Sequence, residues 1–203
     1  LTPGEFSWWT GIVLNMIFFA VNTVFLFLVI EKLLADEKSK VAKTAALTLA
    51  ASVTVAAVST VIYVRMYAML TMWLTITAYL HLRLIEAKKV EPKLLVAVGL
   101  VALFGVLTQY YYLFFLAPLF VVMMAKYWKA KDWKKMRAYV VTLVAAAVVS
   151  LVIWPWSIKH LFFGYRGQGA ISNLLNFSQL GEQLGNFADL IVRYDFHYML
   201  PVI

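Results

Sequence analysis

The chain has 203 residues, 64% of them hydrophobic and 14% charged, with a mean hydropathy of +0.83. A soluble domain of this length cannot cover so much apolar side chain with so small a polar minority, so the expected class is an integral membrane protein, mostly helical. The absence of cysteine excludes a disulfide framework, a thiolate nucleophile and a thiol-bound metal, and the net charge of +8 sits between apolar segments, where it meets lipid headgroups rather than nucleic acid.

The chain opens at Leu1 without an initiator methionine, and no basic stretch precedes the first apolar run, whose nearest charge is Glu5. A signal peptide is therefore not expected. The end at Pro201-Val202-Ile203 suggests a piece of a larger protein. Six apolar runs follow one another at Trp8–Glu31, Val41–Ile62, Met66–Glu86, Pro92–Thr108, Leu113–Trp128 and Lys135–Trp154. Each is near the ~20 residues that a spanning helix needs. The expected fold is an all-α, polytopic transmembrane bundle of about six spanning helices. It occupies residues 1–155, incomplete at its N-terminus, with an external segment over 156–203.

The connections alternate in character. Segments 31–43, 83–93 and 126–137 hold 14 of the 18 lysines and arginines, and the opposite connections hold only Arg65 and, after the last run, Lys159, Arg166 and Arg193. The positive-inside rule makes the three basic loops cytoplasmic. The Arg65 turn, the Gln109 turn and residues 155–203 then face outside. Aromatic residues mark both interfaces: Trp8, Trp9, Tyr63, Tyr67, Tyr110, Tyr111, Tyr112, Trp154 and Trp156 at the outer ends, and Tyr127, Trp128, Trp133 and Tyr139 at the inner ends. In the second run Ala42, Ala46 and Ala50 repeat every four residues, a pattern expected to let a neighbouring helix approach closely.

The fourth and fifth runs are short. Lys93 and Lys126 leave about 24 Å per helix for two crossings and a turn, less than a ~30 Å hydrocarbon core. Either the basic ends snorkel, or the Gln109 turn lies below the outer surface and lines a recess. Pro118 is expected to kink the fifth helix. Beyond Trp154, Gly164, Gly167 and Gly169 mark a loop. Phe177, Leu180, Leu184, Phe187 and Ile191 then recur at spacings of three and four, as on an amphipathic interfacial helix.

No phosphate loop, nucleophile elbow or metal-binding His pair is present in the sequence. His81, near the cytoplasmic end of its run, is expected to be a hydrogen-bonded structural residue. No carboxylate falls in mid-membrane, which argues against a proton- or sodium-coupled transporter. Two stretches invite chemistry. Arg65, between Tyr63 and Tyr67, is either an interfacial anchor reaching lipid phosphates or a planar fork gripping the phosphate of a bound lipid. Thr108-Gln109-Tyr110-Tyr111-Tyr112 is either an aromatic girdle or a set of donors and ring faces suited to a sugar.

Val64-Arg65-Met66-Tyr67-Ala68-Met69-Leu70 at a helix start, Leu107-Thr108-Gln109-Tyr110-Tyr111 two crossings later, Trp154-Pro155-Trp156 and Arg166-Gly167-Gln168-Gly169 occur in an order and spacing that resembles a known group. These motifs are similar to those of the GT-C-fold, family 39-like glycosyltransferases of the protein mannosyltransferase and aminoarabinose transferase type, over roughly Gly11 to Gly169. The resemblance implies an enzyme that moves a sugar from a polyprenyl-phosphate carrier, its donor substrate, to an acceptor hydroxyl on a protein, lipid or glycan at the external leaflet. It implies Arg65, Tyr67 and Arg166 as carrier-phosphate residues, and Tyr63, Gln109, Tyr110 and Tyr111 as lining of the substrate cavity. The general base is expected upstream of Leu1, with Glu5 the candidate that remains of that loop, so the segment alone is expected to be inactive. No metal ligand set or nucleic-acid partner is implied. Relatives often carry an acidic residue where Tyr63 stands and histidine where Gln109 stands. The alternative is a non-catalytic membrane bundle, an export subunit or an assembly scaffold.

Overall fold

The computed structural model describes residues 8–34, 39–62 and 66–156, with a few single positions after them. Seven helices are described: α1 (Trp8–Leu33), α2 (Lys40–Ser52), α3 (Val55–Ile62), α4 (Tyr67–Glu86), α5 (Pro92–Thr108), α6 (Tyr112–Lys129) and α7 (Trp133–Ile153). By length and composition, α1, α4, α6 and α7 can each cross a membrane, and α5 is a shorter apolar helix of 17 residues. The protein is an all-helical, polytopic membrane bundle.

The second apolar run does not form one helix. It breaks at Val53–Thr54 into α2 and α3, because Thr54 spends its hydroxyl on the backbone. Its Oγ1 accepts from Ala57 N at 3.1 Å, the capping bond of a new helix, and donates to Ala51 O at 3.2 Å. At the far end of α3 the Asn15 amide of α1 donates to Thr60 O and Val61 O at 3.3 and 3.2 Å. Those carbonyls belong to the last turn, where no intrahelical donor reaches them. The two pieces together return the chain across the bundle, so α1 and α4 run parallel: Asn22 Oδ1 accepts from Thr75 Oγ1 at 2.9 Å, and Lys32 pairs with Glu86 at 2.6 Å.

The alanine repeat of α2 is not a packing face. Ala42, Ala46 and Ala50 are exposed, whereas Thr44 and Thr48, one notch round the helix, are buried. Small side chains here face outward, and the hydroxyl-bearing face turns inward.

Helix α4 is the centre of the bundle. A third of its most apolar window is buried, against 6% for α1. Its buried residues Ala68, Met72, Ile76, Thr77, His81 and Leu84 recur at helical spacing. Phe18, Val21 and Phe25 of α1 pack against Met72, Ile76 and Val101. On α5, Val98, Val101, Ala102 and Gly105 form the matching inward stripe. A side chain on Gly99 would press on Thr142 Cγ2 at 3.0 Å, so α5 and α7 approach closely there.

Tyr127 and Tyr139 are corrections to the inner aromatic belt: they are 3% and 0% exposed and sit in a core cluster with Leu84, Val98 and Met123. Tyr139 is drawn inward by a polar partner. His81 Nδ1 lies 2.8 Å from Thr77 O, and His81 Nε2 lies 2.9 Å from Tyr139 Oη. A carbonyl only accepts, so Nδ1 carries a proton; in the neutral ring Tyr139 therefore donates to Nε2. His81 is the hydrogen-bonded structural residue that its position suggested. Trp128 and Trp133 remain outside, ring to ring at 5.0 Å.

Helix α6 runs through Pro118 to Lys129. It ends in a doubly bonded C-cap, with Lys131 N on Trp128 O and Asp132 N on Tyr127 O, both at 3.0 Å. Lys131 takes the left-handed conformation this cap requires, at φ 53°. Asp132 then caps α7 by accepting from Lys135 N at 3.1 Å, which starts that helix two residues earlier than the apolar run. After Ile153 only Trp154, Pro155, Trp156 and single positions are described. Gly181, Glu182, Gly185, Asn186 and Asp189 are helical and exposed. The apolar stripe expected between Phe177 and Ile191 lies outside the described residues.

Candidate functional site

The three basic connections come together at one end of the bundle. Lys32 reaches Glu86, Lys40 pairs with Glu31 at 3.2 Å, and Lys135 Nζ donates to Ala87 O at 3.1 Å. At the opposite end lie the start of α1, the end of α3, the start of α4 and the α5–α6 turn. Tyr63, Arg65, Arg166 and Glu5 lie outside the described residues. Tyr67 opens α4 with its side chain exposed, and Ala68 beside it is wholly buried.

The α5–α6 turn is built tightly. Gln109 closes α5 through its N–H on Gly105 O at 3.1 Å, then turns extended. Three consecutive bonds start α6, with Tyr112 N on Gln109 O, Leu113 N on Tyr110 O and Phe114 N on Tyr111 O, at 3.0 to 3.1 Å. The carbonyls of Gln109, Tyr110 and Tyr111 are thus spent inside the turn; Tyr111 is exposed, Gln109 half-buried, and the Tyr110 hydroxyl is buried. The rings of Tyr110 and Tyr111 lie 4.4 Å apart at 47°, and Tyr111 is 45% exposed.

Beneath the turn sits Tyr112, which its sequence neighbours suggested was a third girdle tyrosine. It is fully buried. Its ring lies on bare Gly105 backbone, where an added Cβ would come within 2.5 Å of the ring. Its Oη is 2.7 Å from Thr77 Oγ1, and that hydroxyl is also 2.7 Å from Trp73 O. Thr77 has one proton and gives it to the carbonyl, so Tyr112 is the donor to Thr77. A second bond pins the end of α5, with Trp73 Nε1 donating to Thr108 Oγ1 at 3.1 Å and the Trp73 ring stacked on Phe104. Sequence patterning missed Thr77, Gly105 and Trp73. The only available signal was that Gly105 and Tyr112 close on each other across a short connection.

These bonds set heights. The Trp73–Thr108 bond ties the end of α5 to the side of α4 near its start. The Asn22–Thr75 pair sets α1 about six residues, or ~9 Å, above that start. Among the described helices α1 therefore rises highest at this end, and the Gln109 turn lies beside the first turns of α4. Leu70 packs into the cluster around Tyr112, which brings the start of α4 and the turn together. There is no group of three or more His, Asp or Glu able to hold a metal among the described residues.

The family described as dolichyl-phosphate-mannose-protein mannosyltransferase matches residues 4–154. The chain belongs to this family. No curated protein and no solved structure matches it. The mannosyltransferase-family match closes where α7 closes, so it takes in all seven helices, together with Glu5, Arg65, Tyr67 and the Gln109 turn. Arg166 falls beyond it. The resemblance drawn from the motifs and the helical bundle thus lead to the same group, the membrane glycosyltransferases.

Proposed function

We propose that this chain is the membrane portion of a glycosyltransferase that moves a sugar from a polyprenyl-phosphate carrier to an acceptor hydroxyl at the external leaflet. The observation that carries it is the family match across the whole bundle, residues 4–154.

In this proposal the acceptor oxygen, deprotonated by a carboxylate of the external loop, attacks the anomeric carbon in one displacement. The new C–O bond forms as the bond to the carrier phosphate breaks, and charge grows on the leaving phosphate. Arg65 meets that charge with its planar fork, and Tyr67 adds a phenolic donor, with Arg166 a further cation for the same phosphate. Tyr63, Gln109, Tyr110 and Tyr111 line the sugar's side. The Gln109 amide offers both donor and acceptor to sugar hydroxyls, and the paired tyrosine rings offer an apolar face. Glu5 is the candidate for that carboxylate within this chain.

The test is a transfer assay with the full-length protein in proteoliposomes. A sugar presented on polyprenyl phosphate should be transferred, and the same sugar as a soluble nucleotide adduct should not. Equal transfer from the soluble donor would overturn the proposal.

A further inference from the structure

We propose that the α4–α5 and α6–α7 connections form one composite surface that selects anionic phospholipids at the basic end of the bundle. The sequence shows two separate basic loops; the structure fuses them. Lys135 Nζ of α7 donates to Ala87 O in the α4–α5 connection, and Tyr127, Leu84 and Leu95 close the seam between the hairpins. One side of that seam exposes Lys126, Lys129, Lys131, Lys134 and Arg137. The other exposes Arg83, Lys88, Lys89 and Lys93.

The acids nearby, Glu86, Glu91 and Asp132, are outnumbered by the nine exposed cations of this face, though Glu86 and Glu91 both act on Arg83. Glu86 is taken by Lys32 at 2.6 Å and Asp132 by Lys135 at 2.9 Å, which leaves Glu91 as the carboxylate without an ion pair on this surface among the described residues. An open depression of about 530 Å³ lies against Arg83, Lys88 and Lys89, with Glu86 and Glu91 also in its wall.

A second observation commits the partner to a bilayer rather than a soluble anion. Trp128 and Trp133 stand beside the lysines, 65% and 43% exposed and ring to ring. Amphipathic rings left exposed at a helix end belong at the headgroup level of a membrane. Just along the same helices Val121, Val122 and Val141 are also exposed, as a lipid-facing wall requires. The cations therefore sit where headgroup phosphates sit. A lysine or arginine at such a surface attracts anionic lipid by roughly fivefold each.

Native mass spectrometry of the intact protein, released from an equal mixture of phosphatidylcholine and phosphatidylglycerol, tests it. Wild type should retain phosphatidylglycerol well above its share. Lys126→Gln/Lys129→Gln/Lys134→Gln should lose that excess, and Lys88→Gln/Lys89→Gln/Lys93→Gln on the other hairpin should lose it as well, because one surface is shared. Retention in proportion to the mixture by wild type, or an excess that survives in both variants, would overturn the proposal. An excess lost in only one of the two would overturn the composite surface.

Discussion

Gly105 and Tyr112 show how one residue pair holds the candidate site in place. In a membrane, helices gain little from leaving lipid, so close packing and interhelical hydrogen bonds decide the arrangement. The bond from Tyr112 to Thr77 is worth about 0.6 kcal/mol on average for its kind, with an upper range near ~1.7. The packing is worth more. Gly105→Ala places a methyl against a fully buried ring and should destabilise the protein by about 1–3 kcal/mol. Tyr112→Phe, which only removes the hydroxyl, should cost less. Unfolding of both variants in mixed micelles gives the order directly, and a larger loss for Tyr112→Phe would contradict it. Tyr139→Phe should also destabilise, because it strips the buried His81 Nε2 of its donor.

At the scale of elements, the caps explain most differences between periodicity and structure. The 22-residue run from Val41 to Ile62, apolar or small apart from Lys43, gives no hydropathy signal for a break at Val53–Thr54. The break is made by one hydroxyl, on Thr54, that competes for backbone bonds. Thr54→Ala should loosen α3 at a cost of about 1 kcal/mol, visible as faster hydrogen exchange over Val55–Ile62 with α1 unchanged. The α6–α7 turn makes the complementary prediction. The two hydrogen bonds from Lys135, side chain first and backbone second, hold the Asp132 carboxyl below the usual carboxylate range. Its folded pKa is thus lower than its unfolded one. The resulting stability is present above the unfolded pKa and is lost as pH falls through the folded pKa. Asp132→Asn should remove that acid-side loss, and thermal scans of both proteins across the acid range measure it.

Legibility in the sequence followed the same physics. Long apolar runs and clustered lysines marked the apolar helices and the basic connections between them, because length and charge act additively along the chain. The inward face of α2 was misread, since the alanine repeat and the threonine repeat share one period and only packing decides between them. Tyr112, Tyr127 and Tyr139 were misread as belt residues, because burial of a tyrosine depends on a partner far away in sequence: Thr77 for Tyr112, His81 for Tyr139. Such pairs have no local signature.

For the whole molecule, what matters is the asymmetry between its ends. Among the described residues every cation but Lys159 belongs to one end, while the other end is aromatic. The sequence places Arg65 in the α3–α4 connection, between helix ends that belong to that second end. In the proposed reaction Arg65 meets the carrier phosphate there, away from the three basic connections. The decisive measurement is sugar transfer from the polyprenyl-phosphate donor by full-length Arg65→Ala. Turnover should fall by at least about tenfold, the loss of a charge-stabilising donor at the leaving group, with expression and lipid retention at the basic end unchanged. Turnover equal to wild type would contradict the account.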